Sequence, residues 1–256
     1  MIHGVRSRAR LHKSDGAPLG IPQQISGLVS WLDAARGTSG SPVSAWTGRV
    51  GPSCTQGTVA NQPAAPAVVA ALGGQVALAM DATDRMIAST SIDLSAGWTI
   101  GTVLTIDALK NENGLFRLAP AEASGSGGFC AYLTNAGHLV IASADTSWYK
   151  IAYNSMTSTA AYVMLLTCAG TEPSLTVDVG TISGSTITWS SRALTAITGT
   201  FAMPAASGLY LVPGGGWSSA TSFLNGKFAD QVVYNRALSA GEITTLKGYW
   251  KARFAP

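Results

Sequence analysis

The chain has 256 residues, of which 46% are hydrophobic and only 11% charged. That apolar content suffices for a full buried core, and the charged fraction is less than half the roughly 25% typical of soluble proteins. With no stretch near ~18 uninterrupted apolar residues there is no membrane-spanning helix to expect, and the charged N-terminus lacks the apolar region of a signal peptide.

The net charge of +3 is unevenly spread. Arg6, Arg8, Arg10 and Lys13 fall within residues 1–14, which hold no acid, so the remainder is slightly acidic. Residues 1–24 read as an extended basic arm ending in Gly16-Ala-Pro18-Leu-Gly20-Ile-Pro22, where proline and glycine disfavour helix and sheet interior alike. Such a basic segment can dock on an acidic protein groove, nucleic acid or membrane, or remain a solvated tail. Residues 25–256 read as one domain.

Regular structure is expected from Ile25, with Leu28-Val29-Ser30-Trp31-Leu32 as the first strand. Residues 50–75 carry Val59, Val68, Val69 and Leu72, which predict an ordered crossing over a sheet face with those side chains buried. Residues 98–106 alternate with period two. Trp98, Ile100, Leu104 and Ile106 share one face and Thr99, Gly101 and Thr105 the other, the pattern of a half-buried strand. Asn135-Ala136-Gly137 is a turn signal before Leu139 and Ile141. The apolar run from Tyr162 to Thr167 predicts a strand buried on both sides, and the stretches around Val177 and Trp189 alternate again. Many short strands with Gly, Ser and Asn punctuation predict a sandwich. One helix stands out: Ser239-Ala-Gly-Glu242 has capping-box spacing, Leu238 and Ile243 form a hydrophobic staple, and Ile243, Leu246 and Trp250 make an apolar stripe. Lys247, Lys251 and Arg253 suit the negative end of its dipole.

The residues offer little catalytic chemistry. Cys54, Cys130 and Cys168 have no metal-site spacing; a Cys130–Cys168 bridge and buried free thiols are both open, the thiols favoured. None of the four glutamates lies two or four residues from another acid, so no strand face sets two carboxylates side by side as retaining glycoside hydrolysis needs. The three histidines have no nucleophile partner, and Pro213 to Trp217 lacks the Lys-Ser/Thr of a phosphate loop. Asp81 and Asp84 form a close acidic pair at a turn, read as turn capping or as part of a Ca²⁺ site. Trp148, Tyr149 and Trp217 sit in polar, loop-like surroundings and are the candidate ligand-binding residues; packing, a protein interface and stacking on a sugar ring remain open for them. Trp31, Trp46, Trp98, Trp189 and Trp250 read as core.

Several segments, in order, resemble the laminin-G-like (concanavalin-A-like) jelly rolls found in bacteriophage virion and bacterial surface proteins. Gly27-Leu-Val-Ser-Trp31-Leu-Asp33-Ala34 is similar to the opening strand of that family. Val43-Ser-Ala-Trp46-Thr, with Cys54-Thr-Gln56 and Ala60-Asn-Gln-Pro63, is similar to its next stretch. Val76 to Ile87 resembles the strand–turn–strand built on aromatic-Asp-Gly-Thr-Asp, with Met80 and Ala82 replacing the aromatic and the glycine. Asn225 to Ser239 resembles the closing strand that leads into the helix. The resemblance implies an all-β, two-sheet antiparallel jelly-roll sandwich with one C-terminal helix. It also implies a non-enzymatic virion structural or attachment protein (capsid decoration, head fibre or tail-associated). Such a protein would fold in the host cytoplasm, dock on other virion proteins through the arm, need no cofactor and be free to form homo-oligomers. A glycan-binding adhesion module recognising host surface polysaccharide is the alternative. A polysaccharide-degrading enzyme ranks behind both, and nucleic acid is the weaker partner for the arm.

Overall fold

A computed structural model describes residues 21–81, 83–119, 129–143, 147–151, 156–169, 175–192, 194–198, 208–216 and 223–256; at 143, 147–151, 192 and 194–198 it describes the backbone alone. The chain starts with the short helix α1 (Ile21–Gln24) and β1 (Leu28–Asp33). Small strands come next: β2 (Thr38–Ser39), β3 (Ala45–Trp46), β4 (Cys54–Thr55), β5 (Ala67–Val69), β6 (Gln75–Met80) and β7 (Ile87–Ala88). The longer elements are β8 (Trp98–Ile106), β9 (Asn113–Ala119), β10 (Phe129–Leu133), β11 (Leu139–Ser143), β12 (Ser147–Ile151), β13 (Ala161–Cys168), β14 (Thr176–Ser183), β15 (Thr186–Arg192), β16 (Leu194–Thr198), β17 (Tyr210–Pro213), β18 (Gly226–Tyr234) and α2 (Ala240–Phe254).

The strands form two large antiparallel sheets. One runs β15-β14-β13-β8-β18-β6-β5, and its strand β18 gives the rest of its free edge to β1. The other runs β16-β12-β11-β10-β9-β17, and a small sheet β2-β3-β4-β7 flanks them. Their facing sides share one core: Trp98, Ile100 and Leu104 of β8 meet Phe116 and Leu118 of β9 and Phe129 of β10. Trp98 and Phe129 bridge the gap with ring centroids 4.8 Å apart. The chain is therefore an all-β sandwich with one substantial helix among the described residues.

Helix α2 covers the back of the eight-stranded sheet. Ser239 accepts from the Glu242 N–H while the Glu242 side chain accepts from the Ser239 N–H, the reciprocal cap its sequence spacing predicts. Leu246, Trp250 and Phe254 pack with Trp31, Val103, Val232 and Tyr234 in a second apolar cluster. This second layer corrects the expectation for β8, whose residues are all buried. Thr99 donates to the Arg236 carbonyl and accepts from the Leu238 N–H. Gly101 lies under the Trp250 indole, where a β-carbon would overlap the ring.

Three other expectations shift. Residues 21–24 are helical where an extended arm was expected: Pro22 sits in the first turn, where its missing N–H is not needed, and its carbonyl accepts from the buried Tyr234 hydroxyl. Of the apolar residues in 50–75, Leu72 and Val69 are buried, whereas Val59 and Val68 are 67% and 69% exposed on a short 3-10 turn and on the edge strand β5. The basic end of α2 does more than complement the dipole. Lys247 pairs with Asp178 at 2.6 Å and lies over the Trp189 ring, and Arg253 is buried against β1. Strand β13 is buried along its whole length, as its continuous apolar run predicts. Among the described residues no helix is long and apolar enough to cross a membrane.

Candidate functional site

Arg6, Arg8, Arg10, Lys13 and Trp217 lie outside the described residues. Trp148 and Tyr149 belong to a strand, not to a loop: the backbone of β12 pairs with β11, setting Trp148 opposite Ala142 and Tyr149 opposite Ile141. Their side chains lie outside the description. Cys54, Cys130 and Cys168 are free and buried, and burial pushes the Cys54 thiol up to about 12.

Asp81 and Asp84 build a turn whose donors are their own neighbours. Asp81 Oδ1 accepts from the N–H and the hydroxyl of Thr83, both at 2.7 Å, and Asp84 Oδ2 accepts from the Asp81 N–H at 2.8 Å. The Thr83 hydroxyl holds Asp81 below the usual carboxylate range, whereas burial pushes Asp84 up to about 6. A Ca²⁺ ion takes six to eight oxygen ligands. Among the described residues no cluster of three or more His, Cys, Asp or Glu side chains could hold a metal.

A second acidic pair is formed only by the fold. Asp33 on β1 and Asp230 on β18 stand directly opposite each other in the ladder. Asp230 accepts from the indoles of Trp31 at 2.8 Å and Trp250 at 3.1 Å. Asp33 accepts from Arg253 at 2.5 Å and Arg49 at 3.1 Å. Burial pushes Asp230 up to about 6 against the pull of Arg253. Both carboxylates are at most 1% exposed beneath α2, so no substrate reaches them. They fasten the helix to the sheet. A signal was present: each acid sits within an apolar strand at a position where its neighbours alternate inward, but nothing in sequence couples the two strands.

Among the described residues an open groove of about 460 Å³ lies at the β1 edge. Local features on its several sides shape it. A bulge at Val29 interrupts the pairing of β1 with β18. The segment 49–52 turns back along β1, with the Trp31 N–H donating to the Val50 carbonyl at 2.9 Å. Gly51 adopts φ +75°, and a β-carbon there would collide with the Val29 carbonyl. Opposite, the Ile92 N–H donates to the Leu209 carbonyl at 2.8 Å in an isolated bridge that ties residues 90–93 in place. Asn235 closes the groove beyond β18, its N–H donating to the Gly27 carbonyl at 2.8 Å.

The lining divides by chemistry. Val29, Val50, Pro52 and the buried Ile92 form an apolar floor, and Thr90, Ser91, Asp93 and Asn235 a polar rim. Asp93 Oδ1 accepts from the Ser95 N–H at 2.9 Å, which together with the Ser95 hydroxyl holds this exposed carboxyl below its usual range. The groove thus offers apolar contact, hydroxyls, an amide and a fixed negative charge within the size range of small-molecule sites.

No family model matches the sequence, and no curated protein does. The fold has counterparts among glycosidases. Trypanosoma rangeli sialidase in complex with the inhibitor DANA superposes with a TM-score of 0.57 at 16% identity, over 87% of this chain and 33% of that one. An arabinofuranosidase complexed with arabinofuranosyl-alpha-1,2-xylobiose gives 0.59 at 15% identity, over 83% of this chain and 51% of that one. A GH54 α-L-arabinofuranosidase soaked with a cyclic sulfate inhibitor gives 0.56 at 12% identity, with the same coverage. The chain therefore spans about a third of the sialidase and about half of each arabinofuranosidase. At these identities the likeness is one of fold.

These neighbours correct two expectations. The reading as a non-enzymatic protein does not stand, and neither does that of a virion structural or attachment protein: the solved structures named above that superpose on this fold are a sialidase and arabinofuranosidases. The sequence test looked only for two acids on one strand, and it is blind to acids that meet across strands, as the buried, structural pair Asp33 and Asp230 does.

Proposed function

We propose that this chain is a β-sandwich domain of a carbohydrate-active enzyme and that the groove beside β1 binds a glycan. The observation that carries this reading is the groove itself: an apolar floor for the C–H face of a sugar ring, with hydroxyls, an amide and a carboxylate set around it to meet the ring hydroxyls. The glycosidase neighbours support it, since 83–87% of this chain fits within part of each. A jelly-roll winding fits the sheet order, in which β8 lies between β13 and β18, both far from it in sequence. Glycoside hydrolysis commonly uses two carboxyl groups. Asp93 is the one carboxylate among the described lining residues, so the groove supplies recognition and cleavage draws on groups outside it.

The test is calorimetric titration of the chain with a panel of neutral and acidic oligosaccharides, beside Ser91→Trp, which fills the groove from its exposed rim. Saturable binding that Ser91→Trp abolishes without lowering the melting temperature is the expected result. Absence of binding across the panel, or binding indifferent to Ser91→Trp, overturns the proposal.

A further inference from the structure

We infer, resting on the glycan reading of the groove, that it selects neutral sugars, pentose or hexose units, and rejects sugars that carry a carboxylate such as sialic acid. The charge on the lining points this way, and so do the contacts that occupy the two arginines next to lining residues in the chain.

Asp93 is the charged member of the described lining, and no lysine or arginine joins it. Two arginines flank lining residues in the chain, and each is committed elsewhere. Arg49, next to Val50, stacks over the Trp31 ring with its guanidinium carbon 4.0 Å from the centroid and donates to Asp33 at 3.1 Å, on the helix side of β1. Arg236, next to Asn235, donates to both carboxylate oxygens of Glu242, at 2.9 and 2.5 Å, and to the Ser26 carbonyl at 3.0 Å. Among the described residues Asp93 forms no ion pair that would cancel its charge. Recognition of a sugar carboxylate calls for a cation, above all the paired donors of an arginine. The described lining instead offers a carboxylate and no cation. A neutral sugar meets no such opposition, because its hydroxyls donate to Asp93 and exchange hydrogen bonds with Thr90, Ser91 and Asn235.

The experiment titrates the full chain with two probes, arabinofuranosyl-xylobiose and sialyllactose, at low and at moderate salt. The expected result is that the neutral probe binds and that sialyllactose is weaker by roughly tenfold or more, the size of one close like-charge contact partly shielded by water, with the gap narrowing as salt rises. Asp93→Arg is expected to raise sialyllactose binding by a similar factor. Two results overturn the selectivity while sparing the glycan reading: equal binding of both probes that Ser91→Trp abolishes, or no gain for sialyllactose in Asp93→Arg. If neither probe binds, or if Ser91→Trp changes nothing, the glycan reading itself fails.

Discussion

Asp33 and Asp230 face each other across the β1–β18 ladder, and α2 supplies the groups that make this tolerable: Trp250 donates to Asp230, and Arg253 to Asp33. Two like charges out of water would repel strongly in a medium of low polarity. The bridge is therefore a three-element clasp joining the first strand, the last strand and the helix.

Removing one partner strands the others. Asp33→Ala leaves the buried Arg253 without its carboxylate at 2.5 Å, and breaking a buried ion pair in this way costs about 3–5 kcal/mol. Urea denaturation is expected to show that loss. Hydrogen exchange is expected to show α2 opening before the sheets; a variant as stable as the parent would contradict the clasp.

The pH profile has a definite sign. Burial raises Asp230 and Asp84 from 3.8 to about 6, so the folded chain holds their protons more tightly than the unfolded one. Stability is therefore expected to fall as pH climbs from about 4 to about 6 and to level off above. Glu242, held at about 2 by Arg236 and by the Ser239 N–H and hydroxyl, acts in the opposite sense: its contribution is present at neutral pH and is lost as pH drops below about 4.5. Melting temperatures between pH 3 and 8 check both limbs, and Asp230→Asn should flatten the upper one.

Gly101 has no room for a side chain beneath Trp250. Gly101→Val is expected to lift the indole and to cost about 1–3 kcal/mol by overpacking. Thermal denaturation reads the loss and tryptophan fluorescence reads the displaced ring.

At the other end of the helix, Ser239→Ala removes the acceptor for the Glu242 N–H and the partner of its carboxylate. The expected cost is about 1 kcal/mol, measurable as a lower melting temperature with unchanged strand content by circular dichroism.

The cap of α2 was legible because all its information lies within four consecutive residues, and β13 because a run of apolar residues from Tyr162 to Leu166 permits little else. The back of β8 was misread for the complementary reason. Thr99, Gly101 and Thr105 look solvent-facing until a distant helix is laid over them, and glycine there records the thickness of an indole, not a turn. The groove was illegible because its lining comes from four separate stretches: Val29, residues 50–52, residues 90–93 and Asn235. Exposed aromatics are the sequence mark of a sugar site, and the described lining has none. Gly51, with its backbone pressed on Val29, was the one local mark of that corner.

Strand β18 lies inside the eight-stranded sheet, between β8 on one side and β6 with β1 on the other. It is also the last strand of the sandwich to leave the ribosome. Until residue 234 has been made, β1 lacks its ladder partner and β8 is paired on one edge only, by β13, so the eight-stranded sheet stays open along the gap that β18 fills. Such late, long-range closure makes folding slow, and it exposes the nascent chain to pairing with its neighbours. Expression as a fragment that stops short of β18 would yield aggregate.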